Sequence, residues 1–223
     1  MIADARRGAL VLLAAFTALG AAVAAGWTAG IDQAVAVGAA THRTPFQNAV
    51  ALNATALGSG TIVLLIALLV AAYAIASARP RIVLALSWTL FAFLLDNVLK
   101  LMFQHPRPSV AMIALPDSYS FPSGHAMAAS ALYVTLALIA ASTERRTGPR
   151  RLLIASGVAV ALLVAWSRVY LGVHYLSDVI GGFMLGAAGA MIAARAVTAN
   201  PVGQTDRQGL SDSGEMDSRT DRG

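Results

Sequence analysis

The sequence predicts an all-α protein, a six-helix transmembrane bundle, on three observations. Hydrophobic residues make up 57% of the 223 and charged residues 12%, about half the charged share of an ordinary soluble domain. Six apolar stretches reach or approach the roughly 20 helical residues needed to cross a bilayer core of about 30 Å. The polar residues with chemical potential gather in two loops that fall on one side of the membrane.

The stretches run roughly over residues 9–29, 61–77, 82–101, 126–142, 152–171 and 176–197. The first follows Arg6 and Arg7 and ends in small residues at 21–25, like a secretory signal. Its apolar run is longer than a usual signal core, so an uncleaved first helix is expected. The stretch over 61–77 is short for a span, but residues 46–57 before it are mostly apolar and extend it. The sixth carries Gly181, Gly182, Gly186 and Gly189, which point to close helix packing. Residues 31–43 are expected as a short interfacial helix on the outer face. From Asn200 onward the chain is polar and rich in Gly, Ser and Asp. A disordered cytoplasmic tail over 200–223 is expected after a membrane domain over 1–199.

Lys/Arg placement orients the bundle. With the N-terminus cytoplasmic, the inner flanks hold Arg6, Arg7, Arg79, Arg81, Arg145, Arg146, Arg150, Arg151 and Arg195. The outer loops hold Arg43, Lys100, Arg107 and Arg168. Nine against four places both termini in the cytoplasm and the polar loops outside the inner (plasma) membrane. The net charge of +5 is scattered among apolar runs, without the basic stripe that a nucleic-acid partner requires. There is no cysteine, which excludes disulfides, iron–sulfur clusters and thiolate zinc sites. The chain has one lysine, Lys100, against fifteen arginines.

The outer loops carry the chemistry. One begins at Lys100, continues through His105, Arg107 and Pro108, and ends in Pro122-Ser123-Gly124-His125 at the start of the fourth helix. The other runs from Ser167 and Arg168 through His174 to Asp178. Lys100, Arg107 and Arg168 would repel one another unless they share an anion, and a phosphoryl group suits charged donors. Ser123 and Gly124 fall at a helix N-terminus, whose free N–H groups and dipole also favour phosphate. His174 and Asp178 are four residues apart, on one helix face. A carboxylate on one ring nitrogen fixes the tautomer and leaves the other as a nucleophilic lone pair. His125 can protonate a leaving oxygen and later activate water.

Lys-x6-Arg-Pro, Pro-Ser-Gly-His and Ser-Arg-x5-His-x3-Asp, in that order, resemble the type 2 phosphatidic acid phosphatase family, the lipid phosphate phosphatases. All eleven specified positions match. The resemblance implies a membrane enzyme with its active site at the extracytoplasmic face and a phosphohistidine mechanism with no metal or other cofactor. His174 would attack phosphorus, supported by Asp178, and His125 would be acid and base. Lys100, Arg107, Ser123, Gly124 and Arg168 would hold the phosphoryl oxygens. The implied substrate is a phosphomonoester or diphosphate lipid: undecaprenyl diphosphate, phosphatidate or phosphatidylglycerophosphate.

Other readings stay open at this point. A phosphotransferase could pass the phosphoryl group to a lipid or sugar acceptor. Vanadium haloperoxidases share the constellation, although the hydropathy argues against them. A non-catalytic transporter is the third. Outside the motifs, Asp96 is expected to orient Lys100 one helical turn away. His105 is expected to be a loop residue and His42 simply exposed. Asp117, Tyr119 and Phe121 lie where they could shape the substrate entrance, but are expected more readily as plain loop residues.

Overall fold

The structure, a computed structural model, describes residues 2–198; the expected tail over 200–223 lies outside them. Among these residues there are eight helices and no strand. They are α1 (Ile2–Ala24), α2 (Ala29–Thr41), α3 (Pro45–Ala56), α4 (Gly60–Ala76), α5 (Pro80–Phe103), α6 (Gly124–Thr143), α7 (Thr147–Tyr170) and α8 (Leu176–Thr198). Helices α1, α5, α6, α7 and α8 are each long and apolar enough to span a bilayer. The expected extension of the second stretch exists, but as a separate helix. Helices α3 and α4 meet at 49° and make the sixth span if counted as one.

Local chemistry sets these boundaries. Thr44 accepts a hydrogen bond from the N–H of Gln47 and precedes Pro45, the arrangement favoured at a helix start. Ser59 likewise accepts from the N–H of Ile62 and restarts the helix after the bend. Helix α1 ends earlier than expected, because residues 25–28 turn through Gly26 at φ +74°.

Helices α6 and α8 are central: 61% of each span is buried, against 17% for α1. Glycines make their approach possible. A Cβ on Gly182 would lie 2.4 Å from the carbonyl oxygen of Ser123, and one on Gly186 would lie 2.3 Å from that of Met127. The packing role expected of these glycines is therefore present. Trp88 of α5 donates through its indole N–H to the carbonyl of Gly186 at 3.1 Å. Phe16, Val23, Ala92, Phe121, Met127 and Leu185 form one buried cluster that joins α1, α5, α6 and α8. Phe121 is fully buried there, stacked on Phe16 and edge-on to Phe103. It is a core residue and does not line an entrance.

Close packing of α6 on α8 brings their N-termini side by side, next to the C-termini of α5 and α7. Helix α2 is more than interfacial. Its Asp32 is buried and accepts from the N–H and hydroxyl of Ser177 at 2.9 and 2.7 Å, which caps the first turn of α8. Arg43 donates to the carbonyls of Tyr170 and Val110 at 3.2 and 2.8 Å, tying the α2–α3 link to the end of α7. At this end Trp27 and Phe46 are exposed, as aromatics at a headgroup level commonly are.

Candidate active site

Lys100 lies in the last turn of α5, and its ammonium meets Asp96 Oδ2 at 2.7 Å. The expected i, i+4 pair is present. Asp96 also underlies the start of α6, where a Cβ on Gly124 would fall 2.6 Å from Asp96 Oδ2. Only glycine permits the start of α6 to approach that carboxylate so closely. Gln104 then adopts a left-handed conformation (φ 48°), ends α5 and starts the loop.

Within that loop Arg107 is fixed by five hydrogen bonds. It donates to the carbonyls of Ser118, Tyr119 and Val173 and to the hydroxyl of Ser118. The fifth runs from Nη1 to His174 Nε2 at 3.3 Å. Ser123 is the N-cap of α6, yet its side chain caps nothing. Its buried hydroxyl has no partner among the described residues. His125 follows in the first turn of the same helix. Arg168, in the last turn of α7, is 5% exposed. Its Nη1 donates to the hydroxyl of Thr55 on α3, and its buried Nε has no partner among the described residues.

His174 precedes α8 and is buried. Arginine can only donate, so His174 Nε2 accepts from Arg107 and the ring proton sits on Nδ1. That Nδ1 lies 3.2 Å from the Ser120 hydroxyl and 3.5 Å from Asp178 Oδ2. Ser120 in turn donates to the same carboxylate oxygen. Asp178, in the first turn of α8, also accepts the backbone N–H of Tyr175 at 2.7 Å, the return arm of a capping box. Its other oxygen accepts from His105 Nδ1 at 3.0 Å.

Burial holds the His174 imidazole well below its ordinary value, at about 4. Arg168 and Arg107 push the same way, and Asp178 pulls back. The ring is therefore neutral near pH 7. Burial also lowers Arg107, opposed by Asp178 and Asp96. The Tyr175 phenol is raised by burial and by the charges of Asp178 and Asp32.

Lys100, Arg107, Ser123, Gly124, His125, Arg168, His174 and Asp178 thus come together at one end of the bundle. Tyr119 contributes its carbonyl, and Asp117 stays exposed. His42 is exposed, with Nδ1 2.8 Å from the carbonyl of Gly38. Sequence reasoning missed four contributors: Ser120, Thr55, Asp32 and the contact of His105 with Asp178. Asp32 carried a usable signal, since a lone carboxylate beside an apolar span is unusual. Among the described residues no group of three or more His, Asp or Glu is placed to hold a metal ion.

A multi-pass helical protein with three cations, two histidines and a buried carboxylate at one end has the layout of a membrane phosphatase. The sequence model of the PAP2 superfamily matches residues 81–201. Phosphatidylglycerophosphatase B of Bacillus subtilis is 34% identical over 77% of this chain and 85% of its own length. An undecaprenyl-diphosphatase of Sulfolobus acidocaldarius is 36% identical over 45% of this chain and 44% of its own. The crystal structure of a transmembrane PAP2-type phosphatidylglycerolphosphate phosphatase from Bacillus subtilis superposes with a TM-score of 0.77 at 30% identity. That match covers 83% of this chain and 93% of the other. The chain belongs to the PAP2 superfamily. It is a multi-pass membrane lipid phosphatase of the PAP2 type.

Proposed function

We propose that the protein hydrolyses a phosphomonoester or diphosphate lipid through a phosphohistidine on His174, without a metal. Undecaprenyl diphosphate, phosphatidate and phosphatidylglycerophosphate are the candidate substrates. The observation that carries this reading is the setting of His174. Its Nδ1–H is backed by Ser120 and Asp178, which leaves the Nε2 lone pair facing the Arg107 guanidinium, and a phosphoryl group would enter between the two.

The steps follow from the groups present. Lys100, Arg107, Arg168, the Ser123 hydroxyl and the Gly124 N–H hold the phosphoryl oxygens, and the unpartnered Ser123 Oγ and Arg168 Nε suit that role. The Arg107 Nη1–H would pass from His174 Nε2 to a phosphoryl oxygen, which frees the lone pair, and His174 Nε2 then forms a bond to phosphorus as the bond to the leaving oxygen breaks. Protonated His125 gives its proton to that oxygen. Asp178 offsets the positive charge that grows on His174. Water then attacks the phosphohistidine, His125 takes its proton, and inorganic phosphate leaves with His174 neutral again.

The site would face outward from the inner (plasma) membrane, with both termini cytoplasmic. Nine cations at the opposite end against four at the site end support this orientation. Three of the four at the site end are the proposed phosphate ligands.

The test is phosphate release by detergent-purified protein from a panel of lipid phosphates with EDTA present. Released phosphate is counted against lipid products, which separates hydrolysis from transfer. Undiminished release in chelator and an acid-labile phosphoryl group on His174 are expected. Dependence on an added metal, or full activity in His174→Ala, would overturn the mechanism. Single cysteines introduced into the cysteine-free chain, probed with an impermeant maleimide, test the orientation.

A further inference from the structure

We propose that His105 is a positioning residue for the nucleophile, holding both groups that back His174 Nδ1. The idea rests on His174 being the attacking group. The Lys-x6-Arg spacing fixes only its two ends, so a loop of any composition satisfies it, and nothing in the motif accounts for an imidazole at 105.

Its contacts do account for it. The His105 carbonyl accepts the N–H of Ser120 at 2.8 Å, and its ring meets Asp178 Oδ1 at 3.0 Å. A carboxylate only accepts, so His105 Nδ1 carries the proton and donates it. Ser120 and Asp178 are the two groups facing His174 Nδ1. One residue therefore anchors both, one through its backbone and the other through its side chain.

The side-chain contact matters because the donors to Asp178 are unevenly distributed. Ser120, Tyr175 and His174 all lie at Oδ2. At Oδ1 the donor is His105. Asp178 is fully buried, where an oxygen without a donor is strongly disfavoured. Without His105 the carboxylate would rotate to share the Oδ2 donors between its two oxygens. The His174 tautomer and ring angle would then be less well defined. His105 is itself held, between the left-handed Gln104 that ends α5 and the ring of Tyr175, centroids 5.4 Å apart.

The test compares His105→Asn, His105→Gln and His105→Ala in the full chain, purified in detergent, on dioctanoyl phosphatidate. An asparagine amide can reproduce the Nδ1–H donor, whereas a glutamine amide reaches past it. His105→Gln and His105→Ala should lose about 10-fold in kcat with KM changed by less than about two-fold, the pattern of a misoriented catalytic group. His105→Asn should keep most of the rate. A residue that merely filled space would not separate Asn from Gln, nor kcat from KM. Equal activity of Asn and Gln, or wild-type kcat in all three, overturns the proposal. If alanine impairs folding, the Asn–Gln contrast still decides. His174→Ala is measured alongside: activity there refutes the nucleophile assignment itself. An inactive His174→Ala with unaltered His105 variants refutes only the role of His105.

Discussion

The two sides of the candidate active site are built on different terms. On the α8 side, His174, Asp178, Ser120, His105 and the Tyr175 N–H satisfy one another through hydrogen bonds within the protein. On the other side, Ser123 Oγ and Arg168 Nε are buried and lack partners among the described residues, and Lys100 is steadied from behind by Asp96. The first side fixes the direction of a lone pair before any substrate arrives. The second presents donors whose pairing phosphoryl oxygens would complete. On the proposed mechanism, pre-organisation is concentrated where a tautomer must be chosen, and donor capacity is kept where an anion must come and go.

That contrast can be broken by substitution. His174→Ala removes the proposed nucleophile and should lower phosphate release by about 10⁴-fold or more. Next, one variant from each side should fall by about 10²–10³-fold in kcat/KM. Arg168→Ala should also raise KM, because it removes a proposed phosphate ligand. Asp178→Asn should act on kcat alone, because it disturbs only the backing. If both variants change KM alike, the division between the sides fails. Ser120→Ala removes a hydroxyl that meets His174 Nδ1 and donates to the Asp178 carboxylate, and should cost about 10-fold in kcat at unchanged KM.

Two stability measurements extend the comparison. The folded protein keeps His174 neutral down to about pH 4, whereas an unfolded histidine takes a proton near 6.5. Protonation therefore favours the unfolded chain, and this contribution is complete above pH 6.5 and lost as pH falls toward 4. Thermal unfolding in detergent should show a decrease of about 2–3 kcal/mol over that interval, reduced in His174→Gln. Asp32→Ala deprives the first turn of α8 of its cap from α2. It should lower stability by about 1–2 kcal/mol by the same measurement.

The candidate constellation was legible in the sequence because its chemistry fixes local spacings. His174 and Asp178 must share a helical face, and Ser123 must precede a helix. Five spans were legible from hydropathy, and so was the apolar extension at residues 46–57, which makes a sixth if the bent α3–α4 pair is counted as one. The bend was not, because the N-cap chemistry of Ser59 falls inside an apolar run that reads as continuous. Ser120 and Thr55 were illegible as site residues, and Asp32 was legible only as an unusual carboxylate with no partner assigned, for one shared reason. Each acts on a partner more than fifty residues away, and no local period records such a pairing. The core place of Phe121 was equally illegible, since its stacking on Phe16 of α1 pairs residues far apart in the chain.

Lys100 has a practical consequence. As the chain's one lysine, it supplies the sole ε-amine, placed among the proposed phosphate ligands. Mass-spectrometric footprinting with an acylating reagent would thus read occupancy of the site from one ε-amine adduct, told apart from the α-amine adduct by peptide mapping, with vanadate or a non-hydrolysable phosphonate lipid expected to protect it.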